Sequence, residues 1–498
     1  MFFVVVFLII FDFTEKKENK ISFSQTENAE LQSLLYNYNL PFQEEAAQAQ
    51  FRGLDDSDDE EEGGAANYVV NVRTAMLDAK KGAITALGEI SRFTGPQFTP
   101  YTTQTLTTMC NLLTTEDAAI SYIYSNTLLR SEVAEALSGM IMPAVATLGG
   151  DIEWEKGNAS STMTKPPLTP QITQVSQHCL QALIHILKED MDPAVVGKSC
   201  ESMQAIFELL GPASFAPVAN ECLEAVHSLL SGKAPCQAMS MLGEIEGYPE
   251  DDDDLDEHES YMSHVMDLVG ALGRILGAGF AQYLPQYLPA ICRWGKPSKP
   301  AEDRAMTMGL LGELAQEIDA SSLSPHIESV FYPAICAGLV DEDLNVQRNA
   351  AFLTGVTCEA LGDAMSSQYM QLLQLLSPLF TLAVAVNGDG DGRQGGEAGA
   401  APVMDNAAAA VARMIATCPA AVPLEQVLPT FLSVLPLKDD MTENETVYGC
   451  LLTLLSSGNA VLAAQKGELL RVFQAALADE NVQENVKGQL SSALGGLQ

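Results

Sequence analysis

The residue types that could do chemistry in this chain sit in four places, and each is tested by its spacing. Gly197-Lys198-Ser199 looks like the end of a phosphate-cradling loop, but the leading glycine belongs five residues before Gly197, where the chain has Asp192. VVGKSCESMQAIFELL moreover reads on as one helix, so Lys198 is expected to be a solvated helix residue. Asn387-Gly388-Asp389-Gly390-Asp391-Gly392 opens like a calcium loop, yet its twelfth position is Ala398 and the nearest acid, Glu397, falls one residue early. The six histidines are scattered singly, with no nucleophile beside them in a known motif. The ten cysteines include no C-x-x-C pair and read as reduced, buried thiols rather than metal ligands or a disulfide frame. No catalytic, cofactor-binding or metal residues are assigned, and the chain is expected not to be an enzyme.

Beyond those four, two runs are carboxylate-rich. Residues 250–259, EDDDDLDEHE, hold eight acids in ten positions, and DDSDDEEE at 55–62 holds seven. Consecutive acids lack the spaced ligands and turn glycine of a calcium loop. Two readings stand: a self-repelling solvated loop, or a surface that attracts a basic ligand. The formal charge of the whole chain is −39, from 26 basic and 65 acidic residues, so its field repels phosphate and direct nucleic-acid binding is not expected. The residues proposed to hold basic protein are Asp251, Asp252, Asp253, Asp254, Asp256 and Glu257, with Asp55, Asp56, Asp58, Asp59, Glu60, Glu61 and Glu62 as a second acidic patch.

These groups have to be carried by a scaffold, and its period is legible. Ile327, Val330, Phe331, Ala334, Ile335, Gly338 and Leu339 recur at helical spacing, as do Val447, Cys450, Leu451, Leu454 and Leu455. One kind of helix carries a proline in its apolar run, at Pro289, Pro333, Pro378 and Pro429, which removes a hydrogen bond and bends it. The other kind is rich in small residues: ITALGEI at 84–90, MGLLGEL at 308–314, NAAFLTGV at 349–356 and NAAAAVARM at 406–414. Pro289 to Gly312 is 23 residues, Pro333 to Gly355 is 22, and Gly312 to Gly355 is 43. One helix pair every 40 to 47 residues is the HEAT period. The expected fold is all-α, a right-handed alpha-alpha superhelix (HEAT/armadillo-type solenoid) of roughly nine to ten helix pairs.

The expected organisation is an atypical leader with an apolar start and an acidic run over 1–66, repeats over 67–249 with a Pro/Ser-rich insert near 151–170, an acidic loop at 250–260, and repeats over 261–498 with a Gly-rich insert at 387–400. The apolar start MFFVVVFLIIFDF is too short to span a bilayer unaided, and no membrane association is expected. The stretch between Leu113 and Arg130 is longer and more apolar than a repeat's turn, so it reads as an extra helical turn or an insertion.

YVVNVRTAMLDAKKGAITALGEI at 68–90, the acidic run followed by SYMSHVMDLVGALGRILGAGFAQYLPQYLPAI, DEDLNVQRNAAFLTGV, DNAAAAVARMIA and VLPTFLSVLPLKDD resemble, in order and phase, the importin-beta karyopherins of the importin-4 type. The resemblance runs from about Tyr68 to the C-terminus. It implies a nuclear transport receptor, or its cargo-binding C-terminal half, shuttling between cytoplasm and nucleus through the nuclear pore. Its implied partners are basic cargo such as histones and ribosomal proteins, phenylalanine-glycine nucleoporins, and the Ran GTPase if N-terminal repeats accompany this chain; the first 66 residues do not match those repeats. The resemblance also implies cargo contacts at Asn349 and Asn406, whose amides suit an extended peptide backbone but equally suit a helix start or an inter-repeat bond. Asp343 and Arg348 match the family's structural ladder, and Glu89, Glu313 and Glu359 are expected near the cargo-facing surface. The alternative is a HEAT scaffold for a multi-subunit complex such as a phosphatase, whose ligands are folded surfaces rather than basic tails.

Overall fold

The computed structural model describes residues 80–114, 123–238, 252–382 and 399–497. The acidic patch at 55–62, Asp251 and the glycine-rich stretch up to residue 398 lie outside the described residues. Every regular element among the described residues is helical, apart from one isolated bridge between Glu153 and Lys165.

The described residues fall into two compact units. The first holds α1 (80–94), α2 (Thr99–Thr114), α3 (Ile123–Gly139), α4 (Pro170–Glu189) and α5 (Pro193–Leu210). Thr169 starts α4 by accepting from the Ile172 N–H, and proline at the first position loses nothing there. The helix then buries Ile172, Val175, Cys179, Leu180, Leu183 and Leu187, one stripe at i, i+3, i+4, i+7 spacing. Each large apolar side chain so buried contributes about 1.5–3 kcal/mol before entropy is counted. Small residues set the spacing of the neighbouring layer: a Cβ at Gly88 would lie 3.1 Å from the Ala136 Cβ, so α1 and α3 are nearly in backbone contact. Ser202 of α5 donates to the Ala134 carbonyl of α3 at 2.7 Å.

The second unit contains most of α6 (Ala219–Leu230), then α7 (Asp252–Leu276), α8 (Leu284–Cys292), α9 (Ala301–Glu317), α10 (Tyr332–Gly338), α11 (Leu344–Leu361), α12 (Tyr369–Leu376), α13 (Ala400–Thr417), α14 (Leu424–Ser433), α15 (Asn444–Ser456), α16 (Lys466–Ala478) and α17 (Glu484–Leu497). Among the even-numbered helices α8, α10 and α14 carry a proline, and the odd-numbered α9, α11 and α13 between them are of the small-residue kind. The odd-numbered helices form one layer, α7 on α9 on α11 on α13 on α15 on α17. A Cβ at Gly312 would come within 2.5 Å of the Phe352 ring, and one at Gly355 within 2.9 Å of the Ala410 Cα. The closeness leaves α13 buried on all sides, with only Ala401, Ala416 and Thr417 reaching solvent.

Prolines fall where expected but act in different ways. Pro289 and Pro429 lie inside α8 and α14. Pro333 instead sits in the first turn of α10 after a π-turn at Ile327–Phe331, and Pro378 opens a 3-10 turn, Ser377–Thr381, at the end of α12. In those two helices the strain is taken by a change of helix type rather than by a bend.

One expectation about the connections is revised and two are filled in. The acidic segment is not a loop throughout 250–260: from Asp252 the backbone is already the first turns of α7. Carboxylates are stabilising at a helix N-terminus, which offsets their mutual repulsion. In the apolar interval after Leu113, α2 runs to Thr114 and α3 starts at Ile123, and residues 115–122 lie outside the described residues. The insert near 151–170 is pinned. Within the second unit Gly157 donates to the Ile275 carbonyl at 2.8 Å, Lys156 pairs with Glu317, and Trp154 lies against Gly211, whose φ of +69° and lack of Cβ make room for the ring.

Candidate functional site

Charged groups of both units collect on the odd-numbered helices, most of which, unlike the buried α13, have exposed charged residues. In the first unit Glu132 accepts from Thr85 at 2.6 Å and pairs with Lys81 at 3.2 Å, while Glu135 lies 3.5 Å from Lys198. Lys198 is therefore a helix residue as expected, but an ion-paired one: burial works against its charge, yet Glu201 and Glu135 hold its pKa above the ordinary lysine value. Glu89 is exposed on the same face of α1, 3.8 Å from Arg92.

In the second unit Glu313 of α9 pairs with Arg274 of α7 at 2.7 Å, and its carboxylate occupies the space a side chain at Gly270 would need. Glu359 of α11 pairs with Arg413 of α13 at 2.9 Å and remains 60% exposed. Arg413 reaches Glu443 on its other side at 2.8 Å. Between Glu313 and Glu359, the half-buried ring of Phe352 lies across Gly312. The result is a set of partly neutralised carboxylates and an aromatic ring, able to meet ammonium or guanidinium groups and an aliphatic stem.

The two asparagines are committed to the scaffold. Asn406 is 3% exposed, and its amide donates to the Pro402 carbonyl at 3.0 Å and to Asp440 at 3.1 Å. A buried, donating amide is out of reach of cargo, so that expectation is corrected: Asn406 is an inter-repeat tie. Asn349 is half-buried and donates across to the Ala305 carbonyl of α9 at 2.8 Å, which makes it a tie as well. Asp405, the neighbour of Asn406 on α13, was not anticipated; one carboxylate oxygen accepts the N–H groups of Lys438, Asp439 and Asp440 at 2.9, 2.7 and 3.0 Å. Burial pushes its pKa up in spite of those donors.

The ladder is also displaced by a few residues. Asp343 caps α11, accepting from Asn345 and Val346, and Arg348 makes no hydrogen bond or ion pair among the described residues. The true rung is Arg304 in the first turn of α9 with Asp341 in the loop before α11, two bonds of 2.9 and 2.8 Å. Burial would raise the Asp341 pKa, but Arg304 and the Asp343 N–H hold it below the usual carboxylate value. The first unit has the same device in Arg130 and Asp190, at 2.7 and 3.1 Å. The signal that finds both is an arginine early in one small-residue helix and an aspartate just before the next.

Of the acidic run, Asp252, Asp253, Asp254, Asp256 and Glu257 lie in the opening turns of α7. Among the described residues no group of three or more His, Cys, Asp or Glu side chains is arranged to hold a metal. Seven of the ten cysteines are buried and none of the ten is in a disulfide; burial pushes Cys222, Cys358 and Cys450 up to about 12. An open groove of about 840 Å³ between α15 and α17 is lined by Leu452, Leu455, Gln489 and Ser492 among others and holds no titratable group. Tyr261–Cys292 is apolar and long enough to cross a membrane, but it spans two helices and is 61% buried in its most apolar window.

No family model matches the chain. It is 26% identical over 448 residues to the probable importin subunit beta-4 of Schizosaccharomyces pombe, covering 88% of this chain and 39% of that protein. It is 26% identical over 425 residues to importin-4 of Mus musculus, covering 84% of this chain and 35% of that one. The karyopherin Kap121p bound to the SUMO protease Ulp1p superposes with a TM-score of 0.63 at 13% identity, and Kap121p bound to RanGTP with 0.60 at 15%; each match covers 85% of this chain and 35% of Kap121p. The chain thus spans between a third and two fifths of the length of the proteins it matches. The structural likeness establishes the expected all-α superhelical fold of HEAT type, and over 84–88% of its residues this chain is similar in sequence to importin-4 and importin subunit beta-4.

Proposed function

We propose that this chain works in nuclear protein import, as a receptor or the cargo-holding part of one. It carries basic proteins such as histones and ribosomal proteins between cytoplasm and nucleus. The similarity to importin-4 proteins over 84–88% of the chain is the observation that carries the reading. The charge of −39 and the exposed Glu313 and Glu359 supply the complement to Lys/Arg-rich cargo. Asp251, Asp252, Asp253, Asp254, Asp256 and Glu257 serve as an electrostatic capture element, and the acids at 55–62 as a second. Phenylalanine-glycine nucleoporins and Ran complete the cycle; solved Kap121p structures include complexes with Nup53p and with RanGTP.

The test is binding of a histone tail peptide and a ribosomal protein to the full chain, with and without Ran·GTP, across a salt series. Changing residues 250–257 to their amides should weaken binding about tenfold at low salt and less at high salt. Affinity indifferent to both salt and these changes rejects the capture role.

A further inference from the structure

One part of the second unit is basic. From Ala225 to Gly243 and again from Ile275 to Ala301 the chain has no Asp or Glu, in a protein with 65 of them. The fold brings the described parts of these two stretches together at the ends of α6 and α8. Trp294 donates from its indole nitrogen to the Leu230 carbonyl at 2.8 Å, and Arg293 donates to the Ser231 carbonyl. Gly232, at φ +70°, leaves the space in which the Arg293 guanidinium lies, beside Lys233. The Arg293 guanidinium carbon is 5.7 Å and the Lys299 ammonium 4.8 Å from the centre of the same Trp294 ring. Lys233 and Lys296 are exposed, and Arg293 and Lys299 half-buried. None of the four forms an ion pair among the described residues, whereas Lys81, Arg130, Lys198, Arg274, Arg304 and Arg413 all do. The nearest acids that follow, Glu302 and Asp303, open α9, and Asp303 is 5% exposed.

We propose that Lys233, Arg293, Lys296 and Lys299 form a docking surface for a short acidic peptide segment of a partner protein. Two cations, Arg293 and Lys299, are held over one fixed indole, with the exposed Lys233 and Lys296 next in the chain to Gly232 and Gly295, so a run of carboxylates is met at little ordering cost. Length decides which anion fits. Beyond a Debye length of about 8 Å at physiological salt the patch gives way to a protein of charge −39, which repels a long polyanion such as nucleic acid. A short acidic segment sets fewer charges against that surrounding field than a nucleic acid does. The surface is opposite in sign to the one proposed for basic cargo and does not depend on it.

The experiment is fluorescence anisotropy of a labelled hexaglutamate peptide with the full chain at 50 to 150 mM NaCl, with a labelled oligothymidylate as the second probe. The double variant K296E/K299E should weaken peptide binding about tenfold or more. K438E/K466E changes net charge equally at two exposed lysines elsewhere in the unit, and should shift the Kd by no more than about twofold. Far-UV circular dichroism and thermal midpoints confirm that both variants fold. The proposal is overturned if the two variants weaken binding equally, if the peptide does not bind at 50 mM NaCl, or if the oligonucleotide binds more tightly than the peptide through the same lysines.

Discussion

Replacing Arg304 by alanine tests whether successive repeats are joined by a charged rung. The guanidinium makes two bonds to Asp341 at 2.9 and 2.8 Å and a third to the Lys299 carbonyl at 2.6 Å. Its side chain is 11% exposed and that of Asp341 15%. Removing one member of a buried pair costs about 3–5 kcal/mol, chiefly because the other charge is stranded. Asp341 would keep the Asp343 N–H at 3.0 Å and some water, which places the expected loss near the lower end, at about 3 kcal/mol. In a repeat protein the loss appears first as local opening, so hydrogen exchange in α9 and α11 should accelerate about a hundredfold, while α16 and α17 change little. The R304A/D341A double variant should lose less than the sum of the singles, with a coupling of about 2 kcal/mol. Arg348→Ala, at the position where the sequence had placed the ladder, should stay within about 0.5 kcal/mol. Equal effects at Arg304 and Arg348, or an R304A loss below about 1 kcal/mol, would refute the assignment.

Other perturbations follow from the same contacts. Because Asp341 has a lowered pKa, its unfolded form binds more protons; its contribution is present above the ordinary carboxylate range near 4 and disappears as pH falls through the folded value. The stability gap between wild type and Asp341→Asn in urea titrations should therefore close between pH 6 and pH 3. Asp405→Ala strands three backbone donors and should cost about 2–4 kcal/mol, read by denaturant midpoint and by faster exchange at residues 438–440. Gly355→Ala would gain about 1 kcal/mol in helix propensity, but its Cβ would meet the Ala410 Cα at 2.9 Å, so the thermal midpoint should fall. Gly449→Ala on α15 meets nothing within 4 Å and should raise it.

The repeat period was legible because its determinants are local: a proline in one helix and small residues in the next survive as patterns in the bare sequence, and Gly312 and Gly355 prove to be close approaches between helices. The polar ties were not, since each depends on which backbone group a neighbouring repeat presents. Asn406 and Asn349 were correctly singled out as unusual, but their partners, Asp440 and the Ala305 carbonyl, lie 34 and 44 residues away. Asp343 and Arg348 illustrate the same limit, because Asp341 and Asp343 are indistinguishable by type and only the chain's path makes one a rung and the other a cap. The helical start at Asp252 escaped notice because consecutive acids read as self-repelling until they are placed at the positive end of a helix.

The grip of Asp405 on Lys438, Asp439 and Asp440 has an evolutionary corollary. It fixes the rotation and height of α13 from the side of the chain that follows it, so the helix does not rely on the glycine-rich segment before it for alignment. That segment then has only to be long enough to join residue 382 to residue 399. Residues can be gained or lost between positions 382 and 399 without shifting α13 against α11, which makes this joint a natural place for the repeat array to acquire new sequence while keeping its register.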